Sequence, residues 1–170
     1  MTTNSMTRGE KYLSLVEEHK DLLDLPWTGR RLYGCYEIIR KYMKWKHDYD
    51  MIDFNARGVI RFTDDAIEEQ KGEWIFRSEW GDELVQWDDL RVDDILVLRL
   101  YTTPLGGSYS VGGDSRIPNH GGVYLGDGFL LHHPYGDVSQ IADLYNPAFA
   151  VYQQACVGAL RCCEIISEST

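Results

Sequence analysis

The sequence predicts an α+β fold, with helices in the first half of the chain and a meander of strands in the second. Residues 33–45 place apolar side chains at the i, i+3, i+4 and i+7 positions of one helical face. From residue 91 onward the pattern changes to short β-branched runs separated by glycine-rich turns, which is typical of strands. A cysteine-bearing helix followed by several strands indicates a helix packed on a sheet.

Length and composition limit the class of protein. The chain has 170 residues, which suggests a single domain with a substantial core, and its net charge is −10 from 27 acidic and 17 basic residues. This charge opposes nucleic-acid binding, which depends on a basic surface. The N-terminus is polar and the apolar runs fall short of the ~18 residues of a membrane span. We therefore expect neither a secretion signal nor membrane insertion.

The cysteines are expected to be free thiols. Three of the four are crowded near the C-terminus, and an adjacent pair would bridge poorly with itself; the four are Cys35, Cys156, Cys162 and Cys163. Without a secretion signal, the chain is expected to fold in a reducing cytosol, where disulfides are rare.

Helical periodicity predicts a first helix from Thr7 to Asp24, with His19 on the edge of its apolar stripe and so at the surface or boundary. Pro26 ends this helix, because the residue before a proline avoids helical angles. We accordingly expect residues 1–24 to form an N-terminal helical extension. Residues 25–166 should form the main part of a single-domain chain.

The remaining elements are predicted from alternation, turn residues and apolar runs. The glycine-rich stretch 103–119 is predicted to be a long loop, and such loops are often lids or docking segments. The tryptophans at 74, 80 and 87 are expected to cover the edge of the core. The predicted elements are an extended piece at 58–62, a polar helix at 64–71 that resumes from Glu73 to Glu79, strands at 95–101, 120–125 and 129–133, and a final strand at 156–166.

Cys35 lies at the start of the helix predicted over residues 33–45, directly after Gly34. In the first turn of a helix, unpaired backbone N–H groups and the positive end of the macrodipole favour a nearby anion. A thiol in this position should ionise more easily, and the thiolate is the nucleophile. The alternative is that Cys35 simply packs in the core, since free cysteine is among the most buried residue types.

Two blocks of sequence carry a family resemblance. Residues 34–40 read Gly-Cys-Tyr-Glu-Ile-Ile-Arg, and residues 117–135 read Ile-Pro-Asn-His-Gly-Gly-Val-Tyr-Leu-Gly-Asp-Gly-Phe-Leu-Leu-His-His-Pro-Tyr. Together they resemble the NlpC-type cell-wall cysteine peptidases, a papain-like superfamily, and most of all the members found in bacteriophage tail-tip assembly proteins. The resemblance implies a catalytic triad of Cys35, His120 and His132.

The resemblance covers roughly residues 22–165 and implies a papain-like, NlpC-type fold, with the nucleophile helix packed on a mostly antiparallel sheet. It implies hydrolysis of a peptidoglycan stem peptide between a D-γ-glutamyl residue and a diamino acid, with no cofactor and no metal. Other phage tail proteins would be partners, and the protein would occupy the host cytoplasm during assembly and then the virion tail. The candidate substrate-binding residues are Trp27, Tyr36, Tyr124 and His133.

The chemistry of a cysteine nucleophile fits these three residues. The nucleophile needs a base within hydrogen-bond reach and a third group that orients the base. His120 would take the thiol proton, His132 would hold the His120 ring, and the backbone N–H of Cys35 would contribute to an oxyanion hole.

The alternation of side chains along the predicted strands bears on whether His132 or His133 is the third residue of the triad. If Gly126-Asp127-Gly128 is a three-residue turn, Gly122 lies opposite His132, which then shares a face with His120. If Asp127-Gly128 is a two-residue turn, Gly122 lies opposite His133 instead. The family spacing of twelve residues favours His132.

The chain also departs from the family pattern. Gly34 replaces an acidic or amide residue, Glu37 a small residue, Asp93 a glycine before the first core strand, and Trp27 a tyrosine near the oxyanion site. Glu37 adds a negative charge one turn from Cys35 and should raise the pKa of the thiol.

Three alternatives remain open at this point. The chain could be a structural tail-tip or hub protein that keeps a peptidase scaffold with little or no activity. It could be a cytosolic acyltransferase or amidase, since a fold does not fix a substrate. It could also bind zinc through histidines 120, 132 or 133 with Cys162 and Cys163, although the spacings match no common zinc pattern.

Overall fold

The computed structural model describes residues 5–27, 34–51, 72–78, 83–99, 120–134 and 136–162. Within these ranges the helices are α1 (Arg8–Glu18), α2 (Gly34–His47) and α3 (Ala150–Ala155). The strands are β1 (Gly72–Arg77), β2 (Ile95–Leu98), β3 (His120–Gly126), β4 (Phe129–His132), β5 (Gln140–Asp143) and β6 (Cys156–Cys162). Several predicted features lie outside the described residues: the extended piece at 58–62, the helix at 64–71, the loop at 103–119, Trp80 and Cys163.

The six strands form one antiparallel sheet in the order β1-β6-β2-β3-β4-β5. Together with the helices this confirms the α+β class. No helix in the described ranges is long and apolar enough to cross a membrane. The assignment of residues 1–24 to an extension and 25–166 to a main domain stays a prediction.

The sheet has a buried core on each face. Alternate residues of β2 divide between the two cores, with Ile95 and Val97 facing one side and Leu96 and Leu98 the other. Helix α2 packs on the first face and contacts β3 and β4. The predicted stripe of α2 is buried there, and it consists of Cys35, Ile38, Ile39 and Tyr42.

Helix α1 begins at a capping box, in which the side chains of Thr7 and Glu10 each accept a hydrogen bond from the other residue's backbone N–H. It ends at Glu18 and is followed by a single 3₁₀ turn, so it is shorter than the predicted helix. The prediction that His19 lies at the surface or boundary is wrong. Its side chain is buried, hydrogen-bonds the Leu15 carbonyl at 2.7 Å and stacks on the ring of Tyr42.

The helix predicted from Glu73 to Glu79 is replaced by strand β1. This strand pairs with β6, and the Trp74 ring occupies the space that a side chain at Gly158 would need, since a Cβ there would lie 2.2 Å from the ring. Pairing with a strand that is distant in sequence therefore overrides the local helical pattern. Trp74 is half-buried and Trp87 is buried, as expected of residues that cover the core.

A buried ion pair joins β6 to the entry of β2. The Asp94 carboxylate, which is 1% exposed, accepts two hydrogen bonds of 2.8 Å from the Arg161 guanidinium. This two-pronged geometry is the strongest form of a carboxylate contact. It joins two neighbouring interior strands of the sheet, and β2 in turn pairs with β3, which carries His120.

Candidate active site

The hairpin of β3 and β4 places His132 opposite Gly122. Both central residues of its two-residue turn, Asp127 and Gly128, have positive φ, as a type I′ turn requires. By turn length alone this loop would have put His133 opposite Gly122. A β-bulge between Tyr124 and Gly126 shifts the register by one residue and restores the pairing with His132.

The two candidate histidines are in direct contact. Nε2 of His120 lies 3.0 Å from Nδ1 of His132, and the rings are nearly perpendicular, at 85°. Gly122 lies two residues after His120 on β3 and directly opposite His132 on β4, and a Cβ there would come within 2.7 Å of the Leu131 carbonyl oxygen. Glycine at this position lets β3 and β4 approach closely enough for the histidine contact.

Cys35 lies in the first turn of α2, against the beginning of β3. The backbone N–H groups of Gly121 (the residue after His120), of Tyr36 and of Cys35 itself favour the thiolate, against the larger effect of burial on the pKa of the thiol. Gly121 permits this approach, because a Cβ there would already crowd the Ile39 side chain at 3.2 Å. The thiol and the histidine pair are therefore brought to the same end of β3.

The thiol of Cys35 ionises less readily than the sequence predicts. Burial raises the pKa of the thiol to about 12, and the three backbone N–H groups offset only part of this effect. The expected ease of ionisation at a helix N-terminus is thus wrong for the resting protein. The Glu37 charge raises the pKa of His133, where burial has the larger and opposite effect.

Both histidines of the pair are held neutral. Burial lowers the pKa of His120 to about 3, with a smaller contribution from His133. Burial also places the pKa of His132 well below its ordinary value, helped by the charges of His120 and His133. At rest the site therefore holds a protonated thiol beside neutral imidazoles rather than a preformed ion pair.

Two of the predicted substrate-binding residues contact each other. The ring of Trp27 meets the ring of His133 edge to face, with centroids 5.2 Å apart. Nε2 of His133 is also 2.8 Å from the Asp137 carbonyl oxygen. Tyr36 is buried directly after Cys35. Trp27 and His133 are thus paired with each other, and Tyr36 lies beside Cys35 in α2.

Tyr124 lies elsewhere. Its hydroxyl donates to the Trp87 carbonyl at 3.0 Å and accepts from the Gly128 N–H at 2.8 Å. It is four residues from His120 along β3, or about 13 Å. Its hydroxyl thus fixes the β3–β4 turn at the opposite end of the strand from the histidine contact.

The structure adds one residue that the sequence did not reveal. The buried ring of Tyr152, from α3, lies against the ring of His132 at 82°, with centroids 5.6 Å apart. Helix α3 has six residues and was not predicted. No motif marks Tyr152, so only its place in the fold identifies it.

Within the described residues, no group of three or more histidine, cysteine, aspartate or glutamate side chains is arranged to hold a metal ion. Cys163, one ligand of the zinc alternative, lies outside those residues.

No protein-family model matches the chain, and no curated protein matches it in sequence. Among solved structures, the chain is similar to a protein described as similar to lipoprotein, NLP/P60 family, from Staphylococcus aureus subsp. aureus Mu50. The identity is 14% and the TM-score is 0.46, over 95% of this chain and 44% of the other. The chain spans less than half of that protein's length.

Proposed function

We propose that this chain is a cysteine peptidase of the NlpC type, with Cys35 as nucleophile, His120 as general base and His132 as the residue that orients it. The observation that carries the proposal is the 3.0 Å contact between His120 and His132 at the end of β3 where Cys35 meets the Gly121 backbone. The motif resemblance at residues 34–40 and 117–135 supports the same three residues.

The proposed reaction begins with the neutral pair found at rest. His120 takes the thiol proton through Nδ1, because its Nε2 is already in contact with His132. The sulfur attacks the scissile carbonyl carbon, and the backbone N–H of Cys35 stabilises the oxyanion. His120 then gives the proton to the leaving amine, which departs and leaves an acyl-enzyme. Water, activated by the same histidine, releases the acid and restores the thiol.

The substrate is proposed to be a peptidoglycan stem peptide, cut between a D-γ-glutamyl residue and a diamino acid. Trp27, Tyr36 and His133 are the proposed substrate contacts at the thiol end of β3, and Tyr124 is a weaker candidate because its hydroxyl is bound within the turn. Other phage tail proteins are proposed partners, with the host cytoplasm and then the virion tail as locations. These points depend on the sequence resemblance alone.

A cleavage assay tests the proposal. Purified protein is incubated with a muropeptide that carries an L-Ala-γ-D-Glu-diaminopimelate stem, and the products are separated and weighed by mass spectrometry. We expect Cys35→Ser and His120→Gln each to lower kcat/KM by about a thousandfold or more, as loss of a nucleophile or its base does. Cys156→Ala, which removes a buried thiol two strands away from β3, should retain activity. Absence of cleavage by the wild-type protein would contradict the proposal.

A specific observation favours a second candidate function. Cys35 is only 3% exposed and its thiol has a raised pKa of about 12, which suits a packed side chain as well as a nucleophile. The chain would then be a structural tail-tip or hub protein on a peptidase-like scaffold. In that case neither cleavage nor any effect of His120→Gln on Cys35 reactivity should be seen.

A further inference from the structure

The Nε2 atom of His132 is a buried polar atom whose hydrogen bonding the candidate triad leaves unexplained. His132 is completely buried, and Nε2 has no hydrogen-bond partner in the part of the chain that the structure describes. Its other nitrogen, Nδ1, is engaged with Nε2 of His120. An unpaired polar atom in a protein interior is costly, and such atoms are rare enough to call for an explanation.

The proposed reaction decides which atoms of the two rings carry protons. A neutral imidazole has one N–H and one bare nitrogen. If His120 accepts the thiol proton at Nδ1, its own proton must lie on Nε2 and be donated to Nδ1 of His132. The proton of His132 must then lie on Nε2. In the arrangement of protons that the proposed reaction requires, Nε2 of His132 is therefore a buried N–H donor.

The ring of Tyr152 lies next to His132 in a perpendicular arrangement, in which the edge of one ring meets the face of the other. It lies at 82° to the His132 ring, with the centroids 5.6 Å apart, and it is itself buried. An aromatic face carries partial negative charge, so the positive edge of a perpendicular ring is attracted to it, and an N–H edge more so. The ring of Phe149 packs edge to face on Tyr152 at 5.2 Å and restricts its movement.

We propose that Tyr152 is a positioning residue, whose ring face receives the Nε2–H edge of His132 and thereby stabilises the tautomer pair in which His120 presents Nδ1 to Cys35. The histidine–tyrosine contact does not depend on the substrate. The catalytic benefit rests on the proposed function. Tyr152 touches neither the thiol nor the scissile bond, and acts only through His132.

The opposite tautomer pair would defeat the mechanism. With its proton on Nδ1, His132 would donate to Nε2 of His120, and the His120 proton would move to the nitrogen that should act as the base. The thiol would then have no acceptor for its proton. A preference of Tyr152 for an N–H edge over a bare nitrogen therefore selects the reactive arrangement.

Nitrogen NMR of the intact protein tests the tautomers directly. Protein labelled with ¹⁵N in histidine is examined by long-range ¹H–¹⁵N correlation near pH 7, where protonated and bare ring nitrogens have well-separated shifts. We expect His120 and His132 each to carry the proton on Nε2, and the His132 Nε2–H to show the upfield ring-current shift of a proton above an aromatic face. A His132 proton on Nδ1 would overturn the proposal without any variant being made.

Substitutions at Tyr152 test the role of its ring. Tyr152→Phe keeps an aromatic face and should leave the His132 signals and the alkylation rate of Cys35 nearly unchanged. Tyr152→Leu should remove the ring-current shift and slow alkylation about three- to fivefold, the effect expected of one weak hydrogen bond. Val151→Ala, at an exposed position of the same helix, is the matched control. Equal rates and equal His132 shifts in the leucine and phenylalanine variants would contradict the proposal.

The two proposals fail in distinguishable ways. If the chain cleaves no peptide, but His132 carries its proton on Nε2 and responds to Tyr152→Leu, the positioning contact stands and the peptidase proposal falls. If the chain cleaves the peptide but Tyr152→Leu acts like Tyr152→Phe, the peptidase stands and Tyr152 is only a packing residue.

Discussion

The Cys35 thiol experiences two opposing effects. Three backbone N–H groups at the start of α2 and β3 favour the thiolate, while removal from water favours the thiol, and burial is the larger effect. The same burial keeps His120 and His132 neutral. In the proposed function, proton transfer within the site, rather than a resting ion pair, must therefore generate the thiolate of Cys35.

Asp93 combines a left-handed backbone conformation with side-chain contacts to α2. Its φ is +79°, in the left-handed region where glycine is preferred. Its carboxylate accepts hydrogen bonds from the Tyr42 hydroxyl and from Lys46 at 2.9 Å, and the His47 ring lies 3.0 Å away without hydrogen-bond alignment. Burial would raise the pKa of this carboxyl, but the contacts with Lys46 and Tyr42 outweigh burial and lower it.

Two substitutions at Asp93 separate strain from contacts. Asp93→Gly relieves the backbone but loses the contacts with α2, and should cost about 1 kcal/mol of unfolding free energy. Asp93→Ala loses the contacts and keeps an unfavourable φ, and should cost about 2 kcal/mol. Urea unfolding near pH 7 measures both. An alanine variant as stable as the glycine variant would show that φ at this position carries no strain.

Among the elements, those with strong local patterns were predictable. Helix α2 follows from one apolar stripe, and β3 and β4 follow from short runs around Asp127-Gly128, so the histidine contact could be anticipated from the sequence. The correct pairing of Gly122 with His132 was favoured by family spacing. The bulge that produces this pairing has no local signal.

Elements that depend on distant partners were missed or mistaken. Strand β1 forms through pairing with β6, some eighty residues later, and its local pattern favoured a helix. The burial of His19 depends on the rings of Tyr42 and Trp45 from α2. The raised pKa of the Cys35 thiol likewise depends on how completely the fold buries it. The periodicity of apolar residues does not predict the degree of burial.

For the whole molecule, the neutral histidine pair links stability to pH. The pKa of His120 is about 3 in the folded protein, and that of His132 is also lowered, against about 6.5 in an unfolded chain. Below pH 6.5 the unfolded chain binds protons that the folded protein does not, so the free energy of unfolding falls as pH decreases toward 3. Each histidine contributes up to about 1.4 kcal/mol per pH unit.

Urea unfolding between pH 5 and pH 8 checks this linkage, since most carboxylates stay ionised over that range. We expect His120→Gln and His132→Gln each to flatten the slope below pH 6.5, and the double variant to flatten it further. Unchanged slopes in the variants would mean that these histidines are protonated in the folded protein.

The proposed activation of Cys35 by His120 can be tested against a second thiol of the same chain, Cys156. Cys156 is also a buried free thiol with a pKa raised to about 12 by burial, and β2 separates its strand from the strand of His120. The two thiols thus share burial and a raised pKa, and the proposed function assigns His120 as a base to Cys35 alone. Opening of the whole fold would expose them equally.

The most direct measurement is the ratio of iodoacetamide labelling rates of Cys35 and Cys156 at pH 7 to 8, followed by mass spectrometry in wild-type protein and in His120→Gln. We predict that wild-type Cys35 reacts at least about a hundredfold faster, the lower end of general-base catalysis, and that His120→Gln brings the ratio close to one. A ratio near one in the wild type, unchanged by His120→Gln, would contradict the account and leave Cys35 as a packed core residue.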